Sequence, residues 1–530
     1  MTAPQMFTRQ ATGLVRTASR VDTIAYNLFF GNPWLAMVFV LLFVPAFLPG
    51  ADLVLATVIC FVLVVPFIAS YALLSAAIPR SGGEYTYISR VIHPAVAMMA
   101  NFNVTFFGIV FVGTAGSWFA QWGVAQFLRI AGAYTANQGL IDAAAAVASQ
   151  EGRFIVGAVL ILAFTYVFAK GLRVYFTLQR VAFTLGVIGL LIGAAILLFT
   201  DPASYAASFN TYAQALTGNP DTHRAVTDAA AAAGYAPAPA NLADSFRAVD
   251  WPFLALGYVY ASAYIGGEVR KPASSQLFGM LGALVVTAIV LIVYFVLIGN
   301  VITMPFVGAL GTAALDAGLP DTPTFVELIA ASSSSALFWL PLAFCFIFWT
   351  FSTMPVNILT STRNLLAYAV DGLAPRQFAE VSERSHAPVF SLVLVGALGI
   401  FWLWVYIFTT YTSVILLIFA NVLTYLTAAL AAALLPYRRP ELFESSPVNY
   451  RWAGIPVVAI VGVVAVVTMA ILLVVILMDP ISGFSFETPF NLLFNVGVYL
   501  FGAVYYFAAR FIQRSRGVNV DLAFQEIPVE

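Results

Sequence analysis

The feature that most limits this chain is a succession of apolar runs, each near the length of a bilayer span, at roughly 22-47, 51-78, 92-128, 153-172, 175-200, 251-270, 276-303, 336-366, 388-408, 412-436, 455-478 and 487-510. A membrane helix needs about 20 consecutive apolar residues, so these twelve runs predict an all-α membrane protein of twelve transmembrane helices. Of the 530 residues, 62% are hydrophobic and 9% charged, which excludes a soluble globule. No block of basic residues suggests nucleic acid. Cys60 and Cys345 both sit in apolar runs and read as small core residues, neither a disulfide nor a metal pair. The opening MTAPQMFTRQATGLVRTASR is polar and basic, so no cleavable signal peptide is expected.

An even number of spans returns the C-terminus to the side of the N-terminus. With both termini cytoplasmic, four of the 23 Lys and Arg (Arg129, Arg153, Arg224 and Arg247) fall outside, and the other 19 lie inside. A multi-pass protein of the cell membrane in this orientation divides into a cytoplasmic tail (1-20), spans one to five (21-200), an extracellular loop (201-250), spans six to ten (251-436), a cytoplasmic loop (437-454), spans eleven and twelve (455-510) and a cytoplasmic tail (511-530). The 201-250 segment is polar and Ala-rich and reads as a loop with at most a short surface helix. Thr322 to Ser335 reads as a short outer helix.

Two spans are interrupted in sequence. The first contains Gly31-Asn32-Pro33, where the proline removes a hydrogen bond from the preceding turn and predicts an opening near Phe29 to Pro33. The sixth, WPFLALGYVYASAYIGGEVRKP, carries Gly257 and Gly266-Gly267 among Tyr258, Tyr260, Ser262 and Tyr264. Opened backbone in lipid must face protein or a watery cavity. A solute site and a glycine-packed interface both fit the sixth stretch alone. Paired interruptions at corresponding places favour a transporter site between inverted repeats, spans one to five and six to ten. Asp22, Asp52, Asp250, Glu268 and Arg363 all sit at span ends, which leaves mid-membrane depth without an ionisable candidate. Asn101, Asn103 and Thr105 are expected to bond neighbouring helices. Thr350, Ser352, Thr353 and Asn357 either bond back to their own helix or coordinate a cation.

IPRSGGEYTYISRVIHP (78-94), GGEVRKP (266-272), STRNLLAYAVDGLAPRQFAEVSERSHAPVFS (361-391) and YRRPELF (437-443) follow one another as do the loop signatures of the amino acid-polyamine-organocation (APC) superfamily of permeases. The chain resembles that family from Val21 to about Tyr450. The resemblance implies a LeuT-like 5+5 inverted repeat with broken first and sixth helices. It also implies secondary transport of an amino acid or related small amine by alternating access, with no enzymatic activity. The partners it implies are the small-molecule substrate and the lipid bilayer, and the protein works as a monomer or homodimer.

Carried over residue by residue, the resemblance makes Phe253 the aromatic gate, four residues before Gly257. Phe30, Gly31, Asn32 and Pro33 form the first opened segment, and Gly257, Tyr258, Tyr260 and Ala261 the second. Phe107 and Gly108 form the third-span wall, and Asn357 the eighth-span contact. Two departures matter. Gly186 stands where proton-coupled members carry a lysine, and Gly31-Asn32-Pro33 replaces the usual Gly-Ser-Gly. Pro33 has no N–H for a carboxylate, with the Asn32 amide as a substitute, which leaves room for an amine or a neutral solute. Sodium is the one ion cofactor to weigh, at Ser352 and Thr353 with carbonyls near Phe29 and Phe30. The alternative is an ion-independent exchanger or uniporter for an amine or neutral solute.

Overall fold

Asn32 shows how the sequence writes a break into a membrane helix. In the computed structural model, which describes residues 14–527 except 384, 410–417, 480, 482 and 485–488, Arg20–Gly31 and Pro33–Phe47 are two helices meeting at that residue. Its backbone is left-handed, with φ 40°, a conformation Asn tolerates better than most residues. Its N–H closes the first helix on Leu28 O, and its side chain accepts from Leu35 N to cap the second. Pro33 occupies the first helical position, where a missing N–H costs nothing.

Among the described residues, eleven helices are long and apolar enough to cross a membrane. They are Arg20–Phe47, Leu53–Ala77, Pro94–Thr135, Gln150–Ala169, Leu172–Phe199, Pro272–Val301, Ala336–Val370, Val389–Phe408, Ile418–Arg438, Val457–Met478 and Phe490–Ser515. Each answers to one of the predicted runs. The twelfth run, 251-270, does not form a membrane-length helix. It is helical only at Asp250–Leu256 and continues through turns, with 3-10 segments at Ala261–Ala263 and Gly266–Glu268. The predicted start of span ten at 412 and the outermost parts of both tails lie outside the described residues.

Two spans carry interruptions the sequence did not announce. The third passes through a π-helical turn at Phe119–Ala125. The eighth consists of Ala336–Thr350 and Thr353–Val370, separated at Phe351 and Ser352.

The 201-250 segment corrects the expectation of a loop with at most one short helix. It holds helices at Tyr205–Thr217, Thr222–Ala232 and Leu242–Arg247. Alanine is the strongest helix former, and a polar, Ala-rich stretch becomes stable once its apolar side docks. Phe209 and His223 pack on Phe306, the imidazole stacking on the Phe306 ring with centroids 4.0 Å apart. The short helix expected after Thr322 is present at Phe325–Ala331, closed by a Thr324–Glu327 capping box. Glu327 also takes both Arg129 Nε (2.6 Å) and Nη2 (2.9 Å) and the Tyr212 hydroxyl (3.1 Å). These contacts tie the third span to the helices beyond it at the end of the bundle where span one finishes, the apical end. The opposite end, where span one begins, is the basal end.

Candidate functional site

The interruptions of spans one and six lie against each other. A Cβ on Gly31 would stand 2.6 Å from Ala255 O and 2.8 Å from Val259 Cγ1, so only glycine permits this approach. The opened sixth backbone finds its partners on span one and on the helix that follows. Ser262 N donates to Asn27 Oδ1 (2.8 Å), Asn27 Nδ2 to Ser262 Oγ (3.1 Å), Ser262 Oγ to Gln276 Oε1 (2.5 Å) and Gln276 Nε2 to Ser262 O (2.8 Å). This buried network replaces the intrahelical bonds the segment lacks. Sequence reading missed Asn27 and Gln276. Their signal was a polar amide inside an apolar run.

Above this seam the aromatic residues converge. The Phe30 ring lies 5.5 Å from Tyr258 and 5.7 Å from Tyr260, both edge-on. Tyr260 and Tyr425 share a hydroxyl–hydroxyl bond of 2.7 Å. Phe67 and Tyr71 of span two complete the wall, 5.7 Å and 4.7 Å from Tyr260. Tyr258 is partly exposed, and its hydroxyl accepts from Asn421 Nδ2 at 2.8 Å. Phe253 folds back over Gly257, where a Cβ would meet its ring at 2.4 Å. Its ring lies 6.0 Å from Tyr258 and 6.2 Å from Tyr425. The structure therefore brings together Phe30, Gly31, Phe253, Gly257, Tyr258 and Tyr260, with Ala261 buried at their base.

Gly108 and Asn357 form a second pair. A Cβ on Gly108 would lie 3.5 Å from Asn357 Oδ1, and Asn357 Nδ2 bonds back to Thr353 O at 2.9 Å. Phe107, the neighbour of Gly108, points elsewhere. It packs with Val110 and Ala420, its ring 6.5 Å from that of Phe494 on span twelve. Successive helix residues are about 100° apart, and here Phe107 and Gly108 turn to different neighbours.

Asn32 and Pro33 are both buried. The Asn32 amide is fully engaged: beyond its cap to Leu35, Nδ2 donates to Trp349 O (2.8 Å) and Ser352 Oγ (3.0 Å). Ser352 Oγ lies 2.9 Å from Trp349 O and 3.4 Å from Phe29 O. Thr353 Oγ1 is buried without a hydrogen-bond partner. Thr350 bonds back to Ile347 O at 2.8 Å, the helix-internal fate open to such hydroxyls. The Trp349 indole reaches Gly186, where a Cβ would stand 2.5 Å from Nε1. Asn103 bonds across to Asn421 (3.1 Å) and Thr424 (3.4 Å), and Thr105 to Tyr368 (2.9 Å), the interhelical use expected of them.

Below the aromatic cluster the basal end is laced shut. Arg363 grips Glu268 of the sixth segment through Nε (3.2 Å) and Nη2 (2.7 Å), both side chains buried. Thr17 N and Ala18 N donate to Glu268 O, and Arg270 N to Ala18 O. Arg90 pairs with Asp371 at 2.8 Å, and Tyr85 donates to the same carboxylate at 3.0 Å. Glu268 and Arg363, both span ends in the sequence, thus join the chain before span one, the sixth segment and span eight at one level.

Among curated proteins none matches the chain. The family model for amino acid permeases matches residues 22–506, nearly the whole of the bundle. A multi-pass protein with this match is a transporter, and the chain belongs to the amino acid permeases of the APC superfamily.

Proposed function

We propose that the protein is a secondary transporter that carries an amino acid or related small amine across the cell membrane by alternating access. One observation carries the reading: the openings at Asn32 and at Gly257 to Glu268 lie side by side under the Phe30–Phe253–Tyr258–Tyr260–Tyr425 cluster. Opened backbone beside an aromatic wall suits a small solute with an apolar or aromatic portion. The two interruptions are the corresponding elements of a LeuT-like 5+5 repeat, with the basal end and both termini in the cytoplasm. The substrate meets Phe30, Gly31, Phe253, Gly257, Tyr258, Tyr260 and Ala261, with Gly108 and Asn357 at the margin. The working unit is a monomer or homodimer.

Sodium coupling places the ion at Ser352 and Thr353, beside the Phe29 carbonyl. Sodium independence, open to an exchanger or uniporter as well, is favoured by one specific contact. Asn32 Nδ2 donates to Ser352 Oγ and Trp349 O, and an N–H donor competes with a cation for the same lone pairs. A thermal-shift screen of purified protein against amino acids, amines and neutral solutes, each in sodium and in choline chloride, tests both readings. Stabilisation by an amino acid or amine supports the transporter. Equal stabilisation in both salts supports sodium independence, and no stabilisation by any of these solutes counts against the proposed cargo.

A further inference from the structure

The loop signature 78-94 contains a carboxyl for which transport by the aromatic site has no use. Gly82 and Gly83, with φ 96° and 53°, turn the chain so that the helix Glu84–Val91 begins inside the bundle. A Cβ on Gly83 would stand 2.6 Å from the Tyr264 ring, so the turn fits directly beneath the opened sixth segment. Gly82 N donates to Tyr264 O at 3.2 Å, and Ser81 forms a β-bridge with Ile265. Glu84 is consequently fully buried.

Its surroundings are neutral on every side. Asn101 Nδ2 of span three donates to Oε1 at 2.7 Å, and the Tyr71 hydroxyl of span two donates to Oε2 at 3.3 Å. Tyr368 of span eight donates to Asn101 Oδ1, which fixes the amide with its NH2 toward Glu84. The sixth segment contributes Tyr260 and Tyr264, and the Tyr264 hydroxyl is buried without a hydrogen-bond partner. Span twelve contributes Tyr499, again a phenol, and Tyr425 of span ten stands behind Tyr71 and Tyr260. On Glu84's own helix Arg90 is committed to Asp371, and Arg363 of span eight to Glu268. Among the described residues no Lys, Arg or His forms an ion pair with Glu84. A buried carboxylate held only by neutral donors is expensive, and the usual escape is to take up a proton.

Resting on the transporter reading, we infer that Glu84 is the proton-binding residue of this carrier, protonated while the sixth segment covers it and ionised when that segment lifts at the basal end. The proton comes from and returns to water, making and breaking one O–H bond on the carboxyl. The close packing of Asn101, Tyr71 and Tyr264 favours a proton over a larger cation. Burial pushes the Glu84 carboxyl up to about 7 from its ordinary 4.5, against the lowering effect of its hydrogen bonds. A modest change in hydration is therefore enough to change its charge near neutrality.

Two measurements test this. Infrared difference spectra of the purified full-length protein, stepped between about pH 5 and about pH 9 to bracket neutrality, report the carbonyl stretch of a protonated carboxyl. We expect a band that disappears with a near-neutral midpoint in the wild type and is missing in Glu84→Gln. Tyr71→Phe, which removes a donor to the ionised form, should move the midpoint upward. It also keeps the test decisive should Glu84→Gln fail to fold. No titrating band near neutrality in the wild type, or an unchanged band in Glu84→Gln, overturns the assignment.

In proteoliposomes, uptake of a pool of radiolabelled standard amino acids should rise several-fold under an inwardly directed proton gradient and lose that response in Glu84→Gln. Uptake by the wild type that ignores the gradient overturns the proton linkage and leaves the transporter reading intact. If no amino acid in the pool is carried, the cargo reading fails, and the spectra still decide whether Glu84 binds the proton.

Discussion

Arg363 and Glu268 form a bidentate buried ion pair, with guanidinium nitrogens 3.2 Å and 2.7 Å from the two carboxylate oxygens. Glu268 sits where the sixth segment leaves its last 3-10 turn, and its backbone carbonyl also receives Thr17 N and Ala18 N. One residue therefore links the chain before span one, the opened sixth segment and span eight. Removing one member of a buried pair strands the other charge, at a cost of about 3 to 5 kcal/mol. Arg363→Ala should accordingly lower thermal stability in detergent more than the double change Arg363→Met with Glu268→Leu. Equal losses in the single and double variants would show that the pair is not closed in the resting protein.

The same basal contacts set the second expectation. If they hold the basal end shut, Glu268→Gln should increase labelling by a membrane-impermeant thiol reagent of a cysteine placed at Ser81, which bridges Ile265 and is buried. Labelling no faster than in the otherwise wild-type protein would mean that the bridge, not the ion pair, keeps this end closed.

Much of this arrangement was legible because its causes are local. Asn-Pro supplies a left-handed cap and a ready first helical position within two residues, so the break at Asn32 could be read from the sequence alone. Eleven spans follow from run length in the same way. The Asn27–Ser262–Gln276 network could not be read, because it joins residues 235 positions apart that only the fold makes neighbours. The family resemblance sets Phe107 beside Gly108 as one wall, whereas in this helix Phe107 packs on Val110 and Ala420 and Gly108 faces Asn357. Glu84 was passed over because run-counting assigns it to a loop, and only the positive φ angles of Gly82 and Gly83 return it to the interior. The Ala-rich 201-250 segment misled for the opposite reason: its polarity was visible, and its docking surface on Phe306 was not.

Asn32 makes a sharper test of ion dependence than the hydroxyls do. Glycine accepts the 40° φ of this position, so Asn32→Gly removes the amide without forcing the helix break to close. Trp349 O and Ser352 Oγ would then lose the donor they share. We expect sodium, compared with choline, to stabilise Asn32→Gly and not the wild type, and Ser352→Ala added to Asn32→Gly to abolish the effect. A sodium-specific shift already present in the wild type would refute the view that the amide takes the cation's place.

Close approach of the two opened segments is equally open to challenge. Gly31→Ala places a methyl group 2.6 Å from Ala255 O, and overpacking of this kind costs about 1 to 3 kcal/mol. The variant should fold with a lowered melting temperature and lose amino-acid uptake, because the strain falls on the seam itself. Phe253→Ala instead empties a fully buried ring site over Gly257, at about 3 to 5 kcal/mol, and should weaken uptake with a larger loss of stability than Gly31→Ala. Full uptake in both variants would remove the seam from the transport pathway.

The pH dependence of stability gives a last test, with a definite sign. A carboxyl raised by burial from 4.5 to about 7 keeps its proton in the folded protein after the unfolded chain has released its own. Below about pH 4.5 both states hold the proton, and Glu84 adds no pH dependence. Between that value and about 7 the folded state binds more protons, so its stability falls as pH rises. Above about 7 the folded carboxyl also ionises and the loss levels off, at about 3 kcal/mol in total. Glu84→Gln cannot ionise and should escape this decline. The difference in melting temperature between Glu84→Gln and wild type, measured across this range, should therefore grow as pH rises and then flatten. A constant difference would mean that the folded carboxyl titrates as the unfolded one does, a difference that grows without flattening would mean that it keeps its proton throughout, and a difference that shrinks with rising pH would place its folded titration below the ordinary carboxyl value.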